Sequence, residues 1–426
     1  MSITEERVLA YKILEKVLEE DKFLSPLIIY YSRNLDIRKR KFLQKICFET
    51  IKNLVYIDHI IKLFYRKNFS KLDPNVRTIL RASLTELLIL KRKPYAVCDS
   101  WTEITKRFNF PASKLINGIL RNVLRKGVPQ FKEDWINYSI PKWIYKKLKR
   151  DFGDSFTESF CRWFHSDSPF YFRVYFEKDE EAIRSKIEEE YFKKGFYLAR
   201  LSFPPYAYKS FYHPWEVGLD ESLYYVQDFS SQSVMHYKAF DRGISVWDMT
   251  AAPGGKSLYL SFILKNDLKI LATELRKGRA HLLKENFKKY KINGYVLNTD
   301  ATLFFPKAFF DLVIIDAPCS GLGTIRKKPE ILIRMNQEKI RELVKLQKRL
   351  IENAYRSLKK GGYLFYITCT ITKEENENQI ERALKKFDFE LVEPELSDSF
   401  KNGKYFFCKG FDFDSDFMFS SILRKL

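Results

Sequence analysis

The chain has 426 residues, 45% of them hydrophobic, enough for two or three domains with their own cores and too apolar for a disordered protein. Lys and Arg total 75 against 54 acidic residues, a net charge of +21. Residues 1–150 hold 32 basic and 15 acidic residues, or +17, and the remainder only +4. A front third this basic is expected of a module that carries a protein to a polyanion, although a Lys-rich proteome would leave the same mark. Cys47, Cys98, Cys161, Cys319, Cys369 and Cys408 form no CxxC pair, so neither a disulfide framework nor a zinc site is indicated. No apolar run is long enough to span a membrane, and Glu5 and Glu6 are followed by no signal-peptide core. No membrane contact is expected, and the expected compartment is the cytoplasm.

From Ser2 to about Arg125 the pattern is helical. Ser2 and Glu5 make a capping box, followed by Val8, Tyr11, Leu14 and Leu18 at helical spacing. Asp73-Pro74 reads as a cap and first turn ahead of Ile79, Leu80, Leu84, Leu87 and Leu88. Such apolar faces build a core, so function rests on basic clusters such as Lys39-Arg40-Lys41 and Lys91-Arg92-Lys93. Leu72 through Arg81 and Leu115 through Arg121 together resemble the all-helical NusB-type RNA-binding domain, which places that domain at 1–130. Residues 131–225 form a linker and small α+β RNA-binding subdomain. Its bridge ends in Lys146, Lys147, Lys149 and Arg150; a strand follows at 170–176, a charged helix at 179–194 and a strand at 196–201. Arg173 could touch nucleic acid or sit as a salt-bridged surface residue.

Residues 226–426 alternate strand and helix, which predicts a doubly wound parallel sheet. A strand at 244–247 runs into Asp248-Met249-Thr250-Ala251-Ala252-Pro253-Gly254-Gly255-Lys256-Ser257 and a helix. Small residues and paired glycines let backbone approach a cofactor, and the helix start offers free amides. The stretch has neither GxGxxG nor Walker spacing, which disfavours NAD and ATP. A strand at 269–273 ends in Glu274, placed to accept two ribose hydroxyls. Another at 295–298 leads to Asp300. The run 311–315 is too short for a helix and rich in β-branched residues. It ends at Asp316-Ala317-Pro318-Cys319-Ser320-Gly321, and a strand at 362–368 delivers Cys369 ahead of a helix starting near Glu374. A carboxylate and two thiols therefore meet at the carboxyl ends of adjacent strands, where open α/β sheets bind ligands.

This constellation resembles the RsmB/Sun (Fmu) family of RNA 5-methylcytosine methyltransferases. The likeness rests on Val226-Gln227-Asp228-Phe229-Ser230-Ser231-Gln232, Ala251–Lys256, Asp316–Gly321, Arg326-Lys327-Lys328-Pro329-Glu330 and Tyr366–Thr370. The sequence departs from the family pattern at Met249-Thr250, at Ser257 and at Tyr175, none of them a thiol or acidic position. The resemblance implies a multidomain protein: the helical domain, the small α+β domain and an α/β Rossmann-like class I methyltransferase domain. It also implies S-adenosylmethionine as cofactor and a cytosine of small-subunit (16S) ribosomal RNA, unassembled or partly assembled, as substrate, with the protein a monomer. Cofactor contacts fall to Ala251, Ala252, Pro253, Gly254, Gly255, Lys256, Glu274, Asp300 and Asp316. Carbon 5 of cytosine needs activation by a thiolate adding at carbon 6, a carboxylate on the base, and a group to release the carbon 5 proton. The residues alone do not choose between the thiols; the resemblance makes Cys369 the nucleophile and Cys319 the release group, with Asp316 on the base. Lys256 either lowers a thiol pKa or contacts an RNA phosphate. Another RNA such as tRNA, or a non-catalytic ribosome-assembly role, are the alternatives.

Overall fold

The computed structural model describes residues 4–175, 179–304 and 306–426. It divides into two units, Met1–His165 with Lys327–Arg334, and Ser166–Arg326 with Met335–Leu426. Residues 131–165 thus belong to the first unit and 166–225 to the second.

The first unit is helical. Asp73 caps the helix Pro74–Leu84 through hydrogen bonds from Asn75 N (2.9 Å) and Val76 N (3.1 Å), and Pro74 occupies the turn where its missing N–H costs nothing. Ser2 lies outside the described residues; Thr4 precedes the helix Glu5–Glu19 and makes no side-chain cap. The apolar faces converge on one core that buries Tyr11, Leu14, Ile79, Leu80, Leu84, Ile116 and Leu120, with Val8 and Leu18 half-buried against it. Each fully buried aliphatic side chain contributes about 1.5–3 kcal/mol. At its edge Arg81 forks the half-buried Asp58, Nε and Nη2 each donating at 2.7 Å, and within it the fully buried Glu86 accepts from Trp101 Nε1 (2.9 Å) and from Arg7. The bridge is also helical: Lys142–His165 is two helices meeting at Gly153 (φ +83°). Two carboxylates offset half the charge of its basic end: Lys147 and Arg150 share Asp151, and Lys149 pairs with Asp154.

The second unit begins with an antiparallel four-stranded sheet in the order β2 (Leu198–Arg200), β3 (Ala207–Ser210), β1 (Phe170–Val174), β4 (Tyr224–Val226). The helix Glu180–Lys193 contributes Ile187 and Tyr191 to its core with Phe172 and Tyr208. Phe176, at the end of the expected strand, lies outside the described residues. Arg173 is neither a surface residue nor accessible to nucleic acid. It is fully buried, with Nε donating to Gln227 Oε1 (3.2 Å) and the guanidinium 4.8 Å from the Tyr259 ring and 5.2 Å from that of Tyr225. Burial lowers its pKa to about 10, and the ring faces supply the electrostatic partner.

The larger sheet has a parallel half, β7 (Gly294–Asn298), β6 (Leu268–Glu274), β5 (Ile244–Asp248), β8 (Phe310–Asp316) and β9 (Leu358–Thr368), in that order. Beyond β9 it turns antiparallel: β13 (Met418–Lys425) pairs with β9, β12 (Tyr405–Cys408) with β13, β11 (Lys401–Asn402) with β12, and β10 (Phe389–Val392) with the free part of β13. The expected all-parallel sheet is therefore mixed. The segment 401–425 turns back through short hairpin-like links, and only a longer crossover returns a chain parallel to its neighbour. Register brings the carboxyl ends of the parallel strands to one edge: Glu274 sits opposite Asn298 and Asp316 opposite Ile367.

Candidate active site

At that edge Cys319 Sγ and Cys369 Sγ are 3.5 Å apart, both half-buried. Cys319 follows β8 and Cys369 follows β9, and the ladder between these strands continues past their ends as Ala317 N donates to Ile367 O (2.8 Å). Gly323 then crosses Cys369 so closely that a Cβ would lie 2.8 Å from its carbonyl oxygen; only glycine fits. The hydrogen bond with Cys369, and then burial, hold the Cys319 thiol well above the usual cysteine range. The Coulombic influence of Cys369 and of Glu375 acts in the same direction.

Asp316 ends β8 with a partly exposed carboxylate, and Lys256 Nζ meets its Oδ2 at 2.6 Å. The structure thus gives Lys256 a partner that neither expectation for it included. Behind this pair Asp248 is buried at the end of β5 and accepts from Ser257 Oγ (2.6 Å); burial raises its pKa to about 6.

Gly254 turns the chain from β5 into the helix Gly255–Ile263 at φ +109°, and a Cβ there would lie 2.8 Å from Leu283 Cδ1. Arg279 donates to Ala252 O and Asn286 Nδ2 to Pro253 O (2.8 Å), so the loop is held through its carbonyls. The helix has no side-chain cap at its start, leaving its first amides for an anionic group. Glu274 Oε1 accepts from Arg276 N (2.9 Å), and Oε2 lies 3.6 Å from Arg279. Asp300 accepts from Thr302 N (2.8 Å) beyond β7. Uncapped amides on one side and a fixed carboxylate on the other fit a cofactor with an amino-acid carboxylate and a ribose diol. The supports Arg279 and Asn286 had no signal in the sequence, being polar positions on an ordinary polar helix. Glu375, whose buried carboxylate lies behind both thiols, had one: Thr372 and Glu375 keep the Thr-x-x-Glu spacing of a local side-chain turn. The helix expected near Glu374 begins at Glu377, after that turn.

Among the described residues no group of His, Cys, Asp and Glu could hold a metal ion, and no helix is long and apolar enough to cross a membrane.

Residues 238–413 match the family model of the 16S rRNA methyltransferase RsmB/F, and residues 4–125 that of the NusB family. The chain is 27% identical over 399 residues to the ribosomal RNA small subunit methyltransferase B of Escherichia fergusonii, with 91% of this chain and 92% of that one covered. The protein of the same name from Escherichia coli O1:K1 gives the same figures. Among solved structures, PH0851 is similar over 100% of both chains, with 26% identity and a TM-score of 0.84. A methyltransferase homolog protein from Pyrococcus horikoshii shares 25% identity over 68% of this chain and 97% of its own, with a TM-score of 0.57. The chain is an S-adenosylmethionine-dependent class I methyltransferase that carries a 16S rRNA methyltransferase RsmB/F family domain at residues 238–413 and a NusB family domain at residues 4–125.

Proposed function

We propose that the protein methylates carbon 5 of a cytosine in small-subunit ribosomal RNA through a covalent adduct between Cys369 and carbon 6 of the base. The observation that carries this reading is the pair of thiols 3.5 Å apart beside Asp316. The family resemblance makes Cys369 the nucleophile, and addition of its thiolate to carbon 6 makes carbon 5 enamine-like. Asp316 accepts from the exocyclic amine of the base, and the Lys256 ammonium, 2.6 Å from that carboxylate, stabilises the negative charge that develops on the ring. When bound, S-adenosylmethionine supplies an electrophilic methyl group; Ala251–Lys256, Glu274, Asp300 and Asp316 hold and orient it.

Once Cys369 is a thioether it no longer accepts a proton or carries charge, so the main influence that holds up the Cys319 pKa is gone. Cys319 then releases its own proton to solvent and, as thiolate, takes the carbon 5 proton. The electrons of the C–H bond re-form the 5,6 double bond and expel Cys369 as thiolate. The target base leaves its stack to reach these groups, and the +17 front third supplies the polyanion affinity.

Bisulfite sequencing of small-subunit ribosomal RNA from a deletion strain, complemented with wild type or Cys369→Ala, tests the reading. One cytosine should lose protection in the deletion and recover it only with wild type. No change at any small-subunit cytosine, with a change in tRNA, would redirect the substrate.

A further inference from the structure

Glu375 is fully buried in the turn after Cys369, yet its carboxylate collects donors from two distant segments as well as from its own turn. Oε1 accepts from Ser320 N (2.8 Å) and Gln347 Nε2 (3.2 Å); Oε2 accepts from Ser320 Oγ (2.6 Å), Thr372 Oγ1 (2.6 Å) and Thr370 Oγ1 (3.3 Å). Ser320 follows Cys319 and Thr370 follows Cys369, and their two hydroxyls are 2.6 Å apart. Gln347 also donates to Pro318 O (2.9 Å), and Gln379 Nε2 fixes its amide by donating to Gln347 Oε1 (2.8 Å).

A local turn would account for the Thr372 bond alone. It accounts for neither the backbone and hydroxyl of Ser320, 55 residues away, nor the Gln347 amide from the helix Gln337–Ser357. Burying a charge is costly unless every lone pair is used, and here the donors come from the flanks of both cysteines. We propose that Glu375 is a positioning residue that holds the Cys319 and Cys369 thiols at reacting distance by tying the residue after each cysteine to one carboxylate. The role deepens the two-thiol mechanism proposed above and rests on it for its catalytic consequence.

The test uses the full-length protein and Glu375→Gln, which keeps the shape but turns an amide N–H₂ toward donors. Two quantities are read: single-turnover methyl transfer, and the rate at which diamide, taking up two protons and two electrons, closes a Cys319–Cys369 disulfide without RNA or cofactor. Methyl transfer should fall about 10²-fold or more with the S-adenosylmethionine KM within about twofold, and disulfide closure should slow about tenfold, because catalysis is steep in ångström-scale misplacement. Ser320→Ala/Thr370→Val, which cuts the tethers and keeps the carboxylate, should slow both as well, and it serves if Glu375→Gln does not fold. Wild-type closure and transfer rates in either folded variant overturn the proposal. So does a loss of transfer accompanied by an equal rise in KM with closure unchanged, which marks a merely structural residue. Closure is measured without turnover, so an active Cys369→Ala would sink the covalent mechanism while leaving the positioning claim to its own result.

Discussion

Lys256 Nζ and Asp316 Oδ2, 60 residues apart in sequence, lie 2.6 Å from one another, joining the helix after β5 to the strand that delivers Cys319. The lysine is buried and the carboxylate partly exposed, so the pair presents an acceptor with its countercharge behind it. Lys256→Met should therefore slow single-turnover methyl transfer by about 10–10²-fold, as expected for losing charge stabilisation at a reacting base. Lys256→Met/Asp316→Asn should be little worse than Asp316→Asn, because contacting residues are not additive. Fully additive losses would show that the two act separately.

The thiols are expected to fail differently. Cys369→Ala should be inactive and form no covalent complex. Cys319→Ala should transfer the methyl and stall as a protein–RNA adduct that survives denaturing gels and requires S-adenosylmethionine, since elimination needs the carbon 5 proton gone. The double variant should form none. An adduct in Cys369→Ala would invert the assignment.

Glu274 is fixed by Arg276 N at the end of β6. Glu274→Ala should weaken S-adenosylmethionine binding by about 1–3 kcal/mol, the cost of charged hydrogen bonds left unmade. Calorimetry is the check, and an unchanged affinity would remove Glu274 from the site.

Asp248 makes wild-type stability depend on pH. Burial lifts its pKa from 3.8 to about 6 in the folded protein, so the unfolded chain releases this proton first. Its contribution is whole below about 3.8 and is lost as pH rises through about 6, on the order of 3 kcal/mol at most. Asp248→Asn does not titrate, so its stability relative to wild type should improve between about pH 4 and pH 6 and stay level above. Unfolding curves across that range measure the difference; a pH-independent gap would mean that Asp248 titrates normally.

Lys91 and Lys93 are exposed beside the exposed Tyr95 in the basic helical unit. Lys91→Ala/Lys93→Ala should weaken RNA binding and reduce the slope of log K against log salt by about 0.7 for each single-strand phosphate that is no longer neutralised. Cofactor affinity, whose proposed residues lie in the other unit, should not change. An unaltered salt slope would place the RNA-binding surface elsewhere.

Much of the fold was legible from local chemistry. Asp73-Pro74 announced its helix because a cap and a first-turn proline act within one turn. The strands ending at Glu274, Asp316 and Thr368 showed as short β-branched runs closed by polar residues, and the paired glycines marked the loop after β5. The antiparallel return of β13 was not legible, because the length of its connections, and not its composition, sets strand direction. Nor was the burial of Arg173: an arginine in a strand reads as exposed until Tyr225 and Tyr259 fold over it. Residue types and their spacing were enough to set the candidate groups Glu274, Asp316 and the two thiols at strand ends. Folding in three dimensions was needed to stand the thiols 3.5 Å apart, to turn Lys256 toward Asp316 and to gather both cysteine loops on Glu375. The physical reason is that a separation of fifty or sixty residues carries no distance; strand register and burial create it.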